Sequence, residues 1–393
     1  MSADALLSPI PFNRPGVTGR ELPYLQQALA SGHLSGDGAF SARCHAMLEA
    51  LTGASKVLLT TSCTHALEMA ALLANLGPGD EVLCPAFTFV SSVNAFVLRG
   101  ARPVFVDIRP DTLNLDERLI EAAITPRTRA LMVVHYAGVG CEMPALMAVA
   151  ARHGLHVIED NAHGLFGAYD GRALGSYGAT STLSFHETKN LTCGEGGALV
   201  INDPALVMRA EILREKGTNR SRFFRGQVDK YTWVDVGSSY LPSDLLAAYL
   251  CAQLESRNEI QAARHAIWRR YDTELAAWAV TEGVGRPHVP AHCAQPAHMY
   301  YLLMPSLAAR TRFIAYLRAR MVLAVFHYQP LHLSDKGREY GGRPGQCPVT
   351  EDVADRLVRL PLYLDLGVAD QARVIAAVTS FRVAGVTGRR GRA

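Results

Sequence analysis

The chain has 393 residues, is 49% hydrophobic and 19% charged, and carries a formal net charge of +3. These values are typical of a globular protein with one large and one smaller domain, and no basic stripe indicates binding to nucleic acid, although the final "GRRGRA" is locally basic. No run of about 18 apolar residues indicates a membrane span and no signal peptide is evident at the N-terminus, so we expect a cytoplasmic protein with neither nucleic-acid nor membrane partners.

Strand-like and helical patterns alternate from residue 56 to about residue 165, which predicts a doubly wound α/β sheet. Crossover connections keep such strands parallel, so their carboxyl ends line one edge, where ligands bind. Asp107, His135 and Asp160 fall at or just beyond predicted strand ends. The predicted elements are helix 62–77, strand 81–87, helix 89–100, strand 103–108, helix 115–124, strand 130–138, helix 143–154 and strand 156–160.

The sequence of the second half of the chain predicts two more strands for the sheet of the large domain, followed by a second domain. Short strands at 183–185 and 198–201 flank a glycine-rich loop, and a helix at 206–217 precedes an arginine- and aromatic-rich segment. A long helix at 243–275 leads to strands at 299–304 and 323–328 and a helix at 310–320. We predict a large domain at 1–250 and a small C-terminal α+β domain at 251–393, with a disordered basic tail at 384–393.

Eight cysteines are dispersed along the chain, with no CxxC pair and no Cys/His group at zinc spacing. This pattern gives little support to a disulfide framework or a metal site. We expect reduced thiols and no bound metal.

Lys189, in the glycine-rich loop, is the first candidate for chemistry. A lysine amine held in a site can attack a carbonyl group to form an imine, and the best-known partner is pyridoxal phosphate. The plainer alternative for any single lysine is a solvated surface charge. A cofactor of this kind needs an anion site for its phosphate, a carboxylate for its ring nitrogen and a surface for its ring.

The sequence offers a candidate for each of these needs. Ser62 and Thr64 in "TTSCTHAL" precede a helix whose first N–H groups would bind a phosphate, or they are ordinary helix caps. Asp160 in "VIEDNAH" would keep a pyridine nitrogen protonated, or it caps a helix or pairs with a buried cation. Phe89 in "PAFTFVSS" would stack on the ring, or it is a core aromatic.

Taken together, these segments resemble a known family. "SCTHALEMAALL", "PAFTFVSS", "HYAG", "VIEDNAHG" and "SFHETKNLTCGEGGALVIND" are similar to the signatures of the DegT/DnrJ/EryC1 nucleotide-sugar aminotransferases, which are fold-type I pyridoxal phosphate enzymes. The resemblance extends from "PFNRPGVTGRE" to "RLPLY". It implies a large domain with a mostly parallel doubly wound sheet, a smaller α+β domain, and a homodimer with active sites at the subunit interface.

The family pattern implies a role for each matching residue around the cofactor ring. Lys189 matches the Schiff-base lysine, and Asp160 matches the partner of the pyridine nitrogen. His163 lies where many relatives have Gln beside the phenolic oxygen, and Phe89 stacks where several relatives have Trp. Relatives that dehydrate their sugar at C3 carry His in place of Lys189, so dehydration is disfavoured here.

The resemblance also implies the phosphate ligands, which are Thr64, Ser184 and the backbone N–H of His65, beside Ser62. In many members an asparagine of the partner subunit reaches the phosphate near the position of Leu241, and leucine cannot donate that bond. Either a neighbouring serine, Ser239 or Ser243, replaces it, or the bond is absent.

A closer resemblance concerns the substrates. "SFHETKN", "REKGTNRSRFFRGQVDKYTW", "GSSYL" and "MAALLANLGPGDEV" resemble the family members that make an amino sugar for enterobacterial common antigen. This implies transfer of the amino group of L-glutamate to dTDP-4-dehydro-6-deoxy-D-glucose, giving dTDP-4-amino-4,6-dideoxy-D-galactose and 2-oxoglutarate.

Candidate substrate contacts come from three further segments. Asp37 in "GDG" and His327 and Tyr328 in "FHYQPLH" lie where family members meet the sugar nucleotide. Arg222 and Arg225 belong to the arginine- and aromatic-rich segment, whose composition suits a subunit interface, a loop facing a pyrophosphate, or an ordinary exposed loop.

Other functions stay open at this point. A related aminotransferase would give the gluco product at C4, act at C3, or use a UDP-linked sugar. A non-catalytic regulatory protein would use the same fold and cofactor. A dinucleotide-binding dehydrogenase suits the α/β pattern, but no GxGxxG turn opens an early helix.

Overall fold

A computed structural model describes residues 8–383, so the predicted disordered tail at 384–393 lies outside the described residues. The strands are β1 (Lys56–Thr60), β2 (Glu81–Pro85), β3 (Arg102–Val106), β4 (Thr128–Val134), β5 (His156–Asp160), β6 (Ala168–Tyr169), β7 (Arg172–Ala173), β8 (Thr180–Ser184), β9 (Gly197–Ile201), β10 (Cys293–Ala294), β11 (Tyr300–Leu303) and β12 (Leu357–Leu360).

Helices alternate with these strands in the first half of the chain and dominate the second half. They are α1 (Glu21–Ala30), α2 (Ala39–Thr52), α3 (Cys63–Leu73), α4 (Val90–Val97), α5 (Ile120–Ala123), α6 (Met143–His153), α7 (Val207–Arg214), α8 (Arg220–Phe224), α9 (Asp244–Glu255), α10 (Arg257–Glu274), α11 (Ala276–Glu282), α12 (Leu307–Arg318), α13 (Asp335–Glu339), α14 (Pro348–Arg356) and α15 (Val368–Ser380). Between residues 8 and 383, no helix is both long enough and apolar enough to cross a membrane.

The central sheet has seven strands in the order β1-β9-β8-β5-β4-β2-β3. Strands β8, β5, β4, β2 and β3 pair in parallel, whereas β9 is antiparallel to both of its neighbours. The chain between β8 and β9 contains no helix to carry it back across the sheet, so it returns in the opposite direction. The predicted α/β class with a mostly parallel sheet is confirmed.

Both faces of the sheet are covered by helices. In β1, Leu58 packs into the cluster formed with α3 and α4, whereas Val57 and Leu59 pack into the cluster formed with α2 and α9. Successive side chains of a strand point to opposite faces, so one strand contributes to two hydrophobic layers. This is why the strands read as continuous apolar runs rather than as alternating ones.

A separate hydrophobic core lies in the C-terminal part of the chain. Tyr271, Tyr300 and Phe313 are fully buried there, among side chains of α10, α12, α15 and the antiparallel pair β11 and β12. The division into domains at residues 250 and 251 stays a proposal. Residue 250 lies within α9, whose buried side chains join the core beside the central sheet.

Most of the predicted elements match observed ones, and three differ. Residues 115–124 form a short 3-10 turn and the single-turn α5 instead of one helix. The predicted helix at 243–275 is two helices, α9 and α10, that meet at Ser256. The strand at 323–328 is wrong, because Val325 makes only an isolated bridge to Arg359.

Candidate active site

The carboxyl ends of the parallel strands and the start of β9 meet at one edge of the sheet, where a cavity of about 570 Å³ opens. Residues 298–299 and 359–362 of the C-terminal part close its other side. Nine of the predicted site residues line it: Ser62, Thr64, Phe89, Asp160, His163, Ser184, Lys189, His327 and Tyr328.

The start of α3 forms one end of the cavity. Ser62 caps this helix by accepting a hydrogen bond from the backbone N–H of His65 at 3.1 Å. Thr64 Oγ1 lies 2.9 Å from Ser91 Oγ, at the start of α4, so two hydroxyl groups meet here. Unpaired N–H groups and the dipole at a helix start favour an anion, and the hydroxyls add donors.

Gly197 lets β9 approach this helix start. A Cβ atom at Gly197 would lie 2.4 Å from the backbone nitrogen of Cys63 and 2.4 Å from the carbonyl carbon of Ser62. Gly197, the last glycine of the run after Lys189, is therefore required for close packing between the strand and the helix start.

Asp160 ends β5 and is buried at the cavity wall. One carboxylate oxygen accepts a hydrogen bond from Ser92 Oγ at 2.7 Å, and the other accepts one from the backbone N–H of Ala162 at 3.1 Å. No basic side chain in residues 8–383 forms an ion pair with it. The Asp160 carboxyl group is therefore held in one position and has no cationic partner within the described chain, so it can pair with a cationic group in the cavity.

Lys189 is held on a loop that closes on itself. The backbone N–H of Lys189 donates to the carbonyl of His186 at 2.9 Å. The backbone of Phe185 forms hydrogen bonds with the backbones of Gly196 and Cys193 on the returning chain. Burial lowers the pKa of Lys189 from its usual 10.5; the negative charge of Asp160 opposes this shift and the positive charge of Arg359 adds to it. A lower pKa leaves more of the amine unprotonated, as a nucleophile or base must be.

Three imidazoles lie near this amine. His163 stacks on His298 with ring centroids 4.3 Å apart and ring planes 19° apart, and His327 Nδ1 lies 3.0 Å from the Tyr136 hydroxyl. Burial holds the pKa of each imidazole well below 6.5, helped by the positive charge of Lys189. His163 Nδ1 is buried without a hydrogen-bond partner in the described chain, so it can bond to a group placed in the cavity.

Phe89 forms an open wall rather than part of the core. Its side chain is 55% exposed, and its ring centroid lies 6.2 Å from that of Tyr328. The core-aromatic alternative is excluded, and the ring is free to cover a flat ligand.

Several predicted residues lie outside the cavity. Asp37 forms an ion pair with Arg214, and Arg225 pairs with Glu211 at 2.7 Å, while Arg222 lies on α8. His65 does not line the cavity: its backbone N–H, the predicted phosphate ligand, donates to Ser62 Oγ at 3.1 Å, and its imidazole lies against Tyr240 at a centroid distance of 5.2 Å. Leu241 contacts Gly36 at a different part of the surface, where a Cβ on Gly36 would lie 2.7 Å from the leucine.

Two strand-end residues that the sequence singled out have structural partners instead. Asp107 accepts hydrogen bonds from the backbone of Val349 and Thr350 at the start of α14. His135 pairs with Glu159 at 2.9 Å in a fully buried contact beneath the sheet edge. Neither residue lines the cavity.

Other residues of the cavity could not be identified from the sequence. Ser92 holds Asp160, His298 stacks on His163, and Arg359 enters from the C-terminal part. The signal for Ser92 was its place in "PAFTFVSS", at the start of a helix that follows a strand end. His298 lies in a short strand-like segment without a recognisable motif, and Arg359 opens "RLPLY", the end of the resemblance, to which no role was assigned.

The arrangement fits pyridoxal phosphate. The start of α3 with Ser62 and Thr64 would hold a phosphate, Asp160 a protonated ring nitrogen and Lys189 an aldehyde carbon. The unpartnered Nδ1 of His163 matches a ring oxygen. No cluster of three or more His, Cys, Asp or Glu side chains suited to a metal ion occurs within residues 8–383.

Comparison with known proteins agrees with this arrangement. Residues 16–379 match the DegT/DnrJ/EryC1/StrS aminotransferase family. The spore coat polysaccharide biosynthesis protein SpsC of Bacillus subtilis is 33% identical over 377 residues, which are 94% of this chain and 96% of SpsC. The crystal structure of the aminotransferase TlmJ from Streptoalloteichus hindustanus is 31% identical with a TM-score of 0.87, covering 95% of this chain and 98% of TlmJ.

A further solved structure shows a relative with its cofactor. The PLP-form of Spr1654 from Streptococcus pneumoniae is 26% identical with a TM-score of 0.87, covering 94% of this chain and 98% of Spr1654.

Proposed function

The chain belongs to the DegT/DnrJ/EryC1/StrS aminotransferase family, and from this premise we propose that it transfers the amino group of L-glutamate to a nucleotide-linked keto sugar. Its fold is that of fold-type I enzymes and its cofactor is pyridoxal phosphate. The observation that carries the proposal is the convergence of Lys189 and Asp160 in one cavity that also contains the start of α3.

The cofactor, when bound, supplies an exchangeable carbonyl group and a ring that accepts electron density from the reacting carbon. We propose that Asp160 keeps the ring nitrogen protonated, and Ser92 holds its carboxylate in place. Lys189 Nζ would remove the proton from Cα of the donor and deliver it to the exocyclic carbon of the cofactor. This carbon carries the amine between the two half-reactions. The depressed pKa of Lys189 favours this proton transfer.

For the sugar we propose dTDP-4-dehydro-6-deoxy-D-glucose, with dTDP-4-amino-4,6-dideoxy-D-galactose as the product. The support is the closer resemblance of the segments around Lys189 and residues 214–241, and the part of SpsC in polysaccharide biosynthesis. A lysine rather than a histidine at position 189 favours amination over dehydration.

We also propose a homodimer in which the residues outside the cavity act at the site of a second copy. Asp37, Arg222, Arg225 and Leu241 lie away from the cavity of their own chain. Residues 223–236 expose several large apolar side chains beside the arginines, which is unusual for a surface that faces only water.

The test follows the visible absorption of cofactor-loaded protein as L-glutamate and then the keto sugar are added. We expect glutamate to bleach the visible absorption band of the bound cofactor and the sugar to restore it. NMR coupling at C4 of the product should show the galacto configuration. Lys189→Ala is the control, and it should bind the cofactor but aminate nothing.

The outcomes separate the parts of the proposal. Bleaching by glutamate without recovery on adding this sugar leaves an aminotransferase with another acceptor, which a panel of C3 and UDP-linked keto sugars would identify. Amination by Lys189→Ala at the rate of the parent protein would contradict the catalytic role of the lysine.

A further inference from the structure

Arg359 brings a positive charge into the cavity from the C-terminal part of the chain. It lies in β12, and its backbone is fixed on both sides: it pairs with Tyr301 of β11 and exchanges hydrogen bonds with Val325 at 2.7 and 3.2 Å. Its side chain lines the same cavity as Lys189 and Asp160.

The guanidinium of Arg359 has no anionic partner in residues 8–383. Its Nε is buried and makes no hydrogen bond, and no carboxylate lies within ion-pair distance of any of its nitrogens. Phe12 packs against it with the ring centroid 4.6 Å away, which covers one face with an aromatic ring.

Two buried arginines elsewhere in the described chain each donate hydrogen bonds to protein groups, whereas the Arg359 side chain donates none. Arg264 donates to the carbonyls of Ala297 and His298 at 3.1 and 2.8 Å. Arg214 pairs with Asp37 and donates to the carbonyl of Leu59, although its Nε, like that of Arg359, has no hydrogen-bond partner. Arg359 is half-buried, and a partly desolvated guanidinium without a protein partner is costly, so its position is explained best by an anionic ligand.

The acids that line the cavity do not neutralise Arg359. Asp160 is bonded to Ser92 and Ala162, and Glu195 faces His186 at 3.6 Å with an exposed side chain. The Arg359 guanidinium and the Lys189 amine line the same cavity, and the positive charge of Arg359 adds to the lowering of the pKa of Lys189 by burial.

We propose that Arg359 binds the carboxylate attached to the reacting carbon of the amino donor. This rests on the proposed aminotransferase function and adds the group that recognises the donor. In an amino acid, that carboxylate is bonded to the carbon whose amine reacts, so it lies beside Lys189. The diphosphate of a nucleotide sugar is a pyranose ring away from its reacting carbon. The planar fork of arginine also matches the two oxygens of a carboxylate.

Calorimetry on the cofactor-loaded protein tests this assignment without turnover. Glutarate, an unreactive dicarboxylate, and thymidine diphosphate are titrated into the parent protein, Arg359→Met, Arg359→Lys and Arg318→Met. Arg318 is an exposed arginine at the end of α12 and provides the same change of charge away from the cavity.

We expect Arg359→Met to weaken glutarate binding by about 10- to 100-fold, as loss of a hydrogen bond to a charged group does, with thymidine diphosphate binding unchanged. Arg359→Lys should lie between the parent and Arg359→Met, because it keeps the charge without the fork. Arg318→Met should match the parent. Unchanged glutarate affinity in Arg359→Met would overturn the proposal, as would a selective loss of thymidine diphosphate binding.

The half-reactions then separate this proposal from the broader one. In Arg359→Met the glutamate concentration that half-saturates bleaching should rise by the same factor, and the sugar concentration that half-saturates recovery should not change. If glutamate fails to bleach the parent protein, the aminotransferase proposal falls, and the glutarate titrations still decide the role of Arg359. A near-ultraviolet circular dichroism spectrum equal to that of the parent shows that each variant is folded.

Discussion

At the scale of single residues, the cavity combines two cations with imidazoles that stay neutral. His163, His298 and His327 are buried near Lys189 and Arg359, and the positive charge of both side chains further disfavours protonation of each imidazole. Neutral imidazoles can accept hydrogen bonds as well as donate them, which suits a site that must hold a ring oxygen.

These pKa shifts predict how the stability of the cofactor-free protein depends on pH. In the unfolded chain the three imidazoles titrate near 6.5, whereas in the folded chain they resist protonation to much lower pH. Below pH 6.5 the unfolded state therefore binds more protons, so the free energy of unfolding falls as pH decreases, by up to about 1.4 kcal/mol per pH unit for each imidazole.

Urea unfolding at pH 7.5, 6.5 and 5.5 measures this slope. His163→Gln replaces one imidazole by a side chain that forms hydrogen bonds but does not titrate. It should reduce the slope of unfolding free energy against pH by up to about 1.4 kcal/mol per pH unit, which corresponds to one proton. His33→Gln, at an exposed histidine, should keep the parent slope. Equal slopes for His163→Gln and the parent would show that His163 is not held neutral by the fold.

At the scale of elements, the phosphate end of the cavity depends on the contact between β9 and the start of α3. Gly197→Ala would place a methyl group 2.4 Å from the backbone of Cys63, where neither strand nor helix can move independently, because β9 is paired on both sides. We expect a loss of about 1–3 kcal/mol in stability from overpacking and weaker retention of the cofactor.

Gly77→Ala is the matched control for this prediction. Gly77 lies in the turn after α3, and a Cβ there would meet nothing within 4 Å. Urea unfolding and the cofactor absorbance that remains after dialysis would measure both effects. Retention of cofactor by Gly197→Ala equal to that of Gly77→Ala would contradict the role assigned to this contact.

The elements also show what could be predicted from the sequence. Strand β5 and helices α3 and α6 were predicted within a few residues, because each has clear periodicity and ends near a turn residue. The break at Ser256 was missed because α9 and α10 continue one helical pattern across it. The contact between Ser92 and Asp160 and the entry of Arg359 into the cavity join distant parts of the chain, which no local pattern encodes.

At the scale of the whole molecule, one surface is unusually apolar. Trp233 is 77% exposed and Phe224 is 69% exposed, and Tyr231, Val234 and Val236 are also exposed on the same segment. Exposed aromatic side chains mixed with arginines are the composition of a protein interface. The segment also carries Arg222 and Arg225, which do not reach the cavity of their own chain.

We therefore predict that this surface is buried between two copies of the chain. The parent protein should sediment with twice the chain mass of 42.6 kDa, and Trp233→Glu should shift it towards the mass of one chain, because a buried carboxylate at the centre of an apolar contact is costly. Val280→Glu changes an 82% exposed apolar residue in α11 and should leave the mass unchanged. Mixing Trp233→Glu with Lys189→Ala also tests whether the sites are shared. The Trp233→Glu chain keeps its own Lys189, and the Lys189→Ala chain keeps the intact apolar surface. Recovery of amination in the mixture would therefore mean that residues of one copy serve the cavity of the other. A parent protein that sediments as a single chain, or a Trp233→Glu variant that stays at twice the chain mass, would contradict this interface.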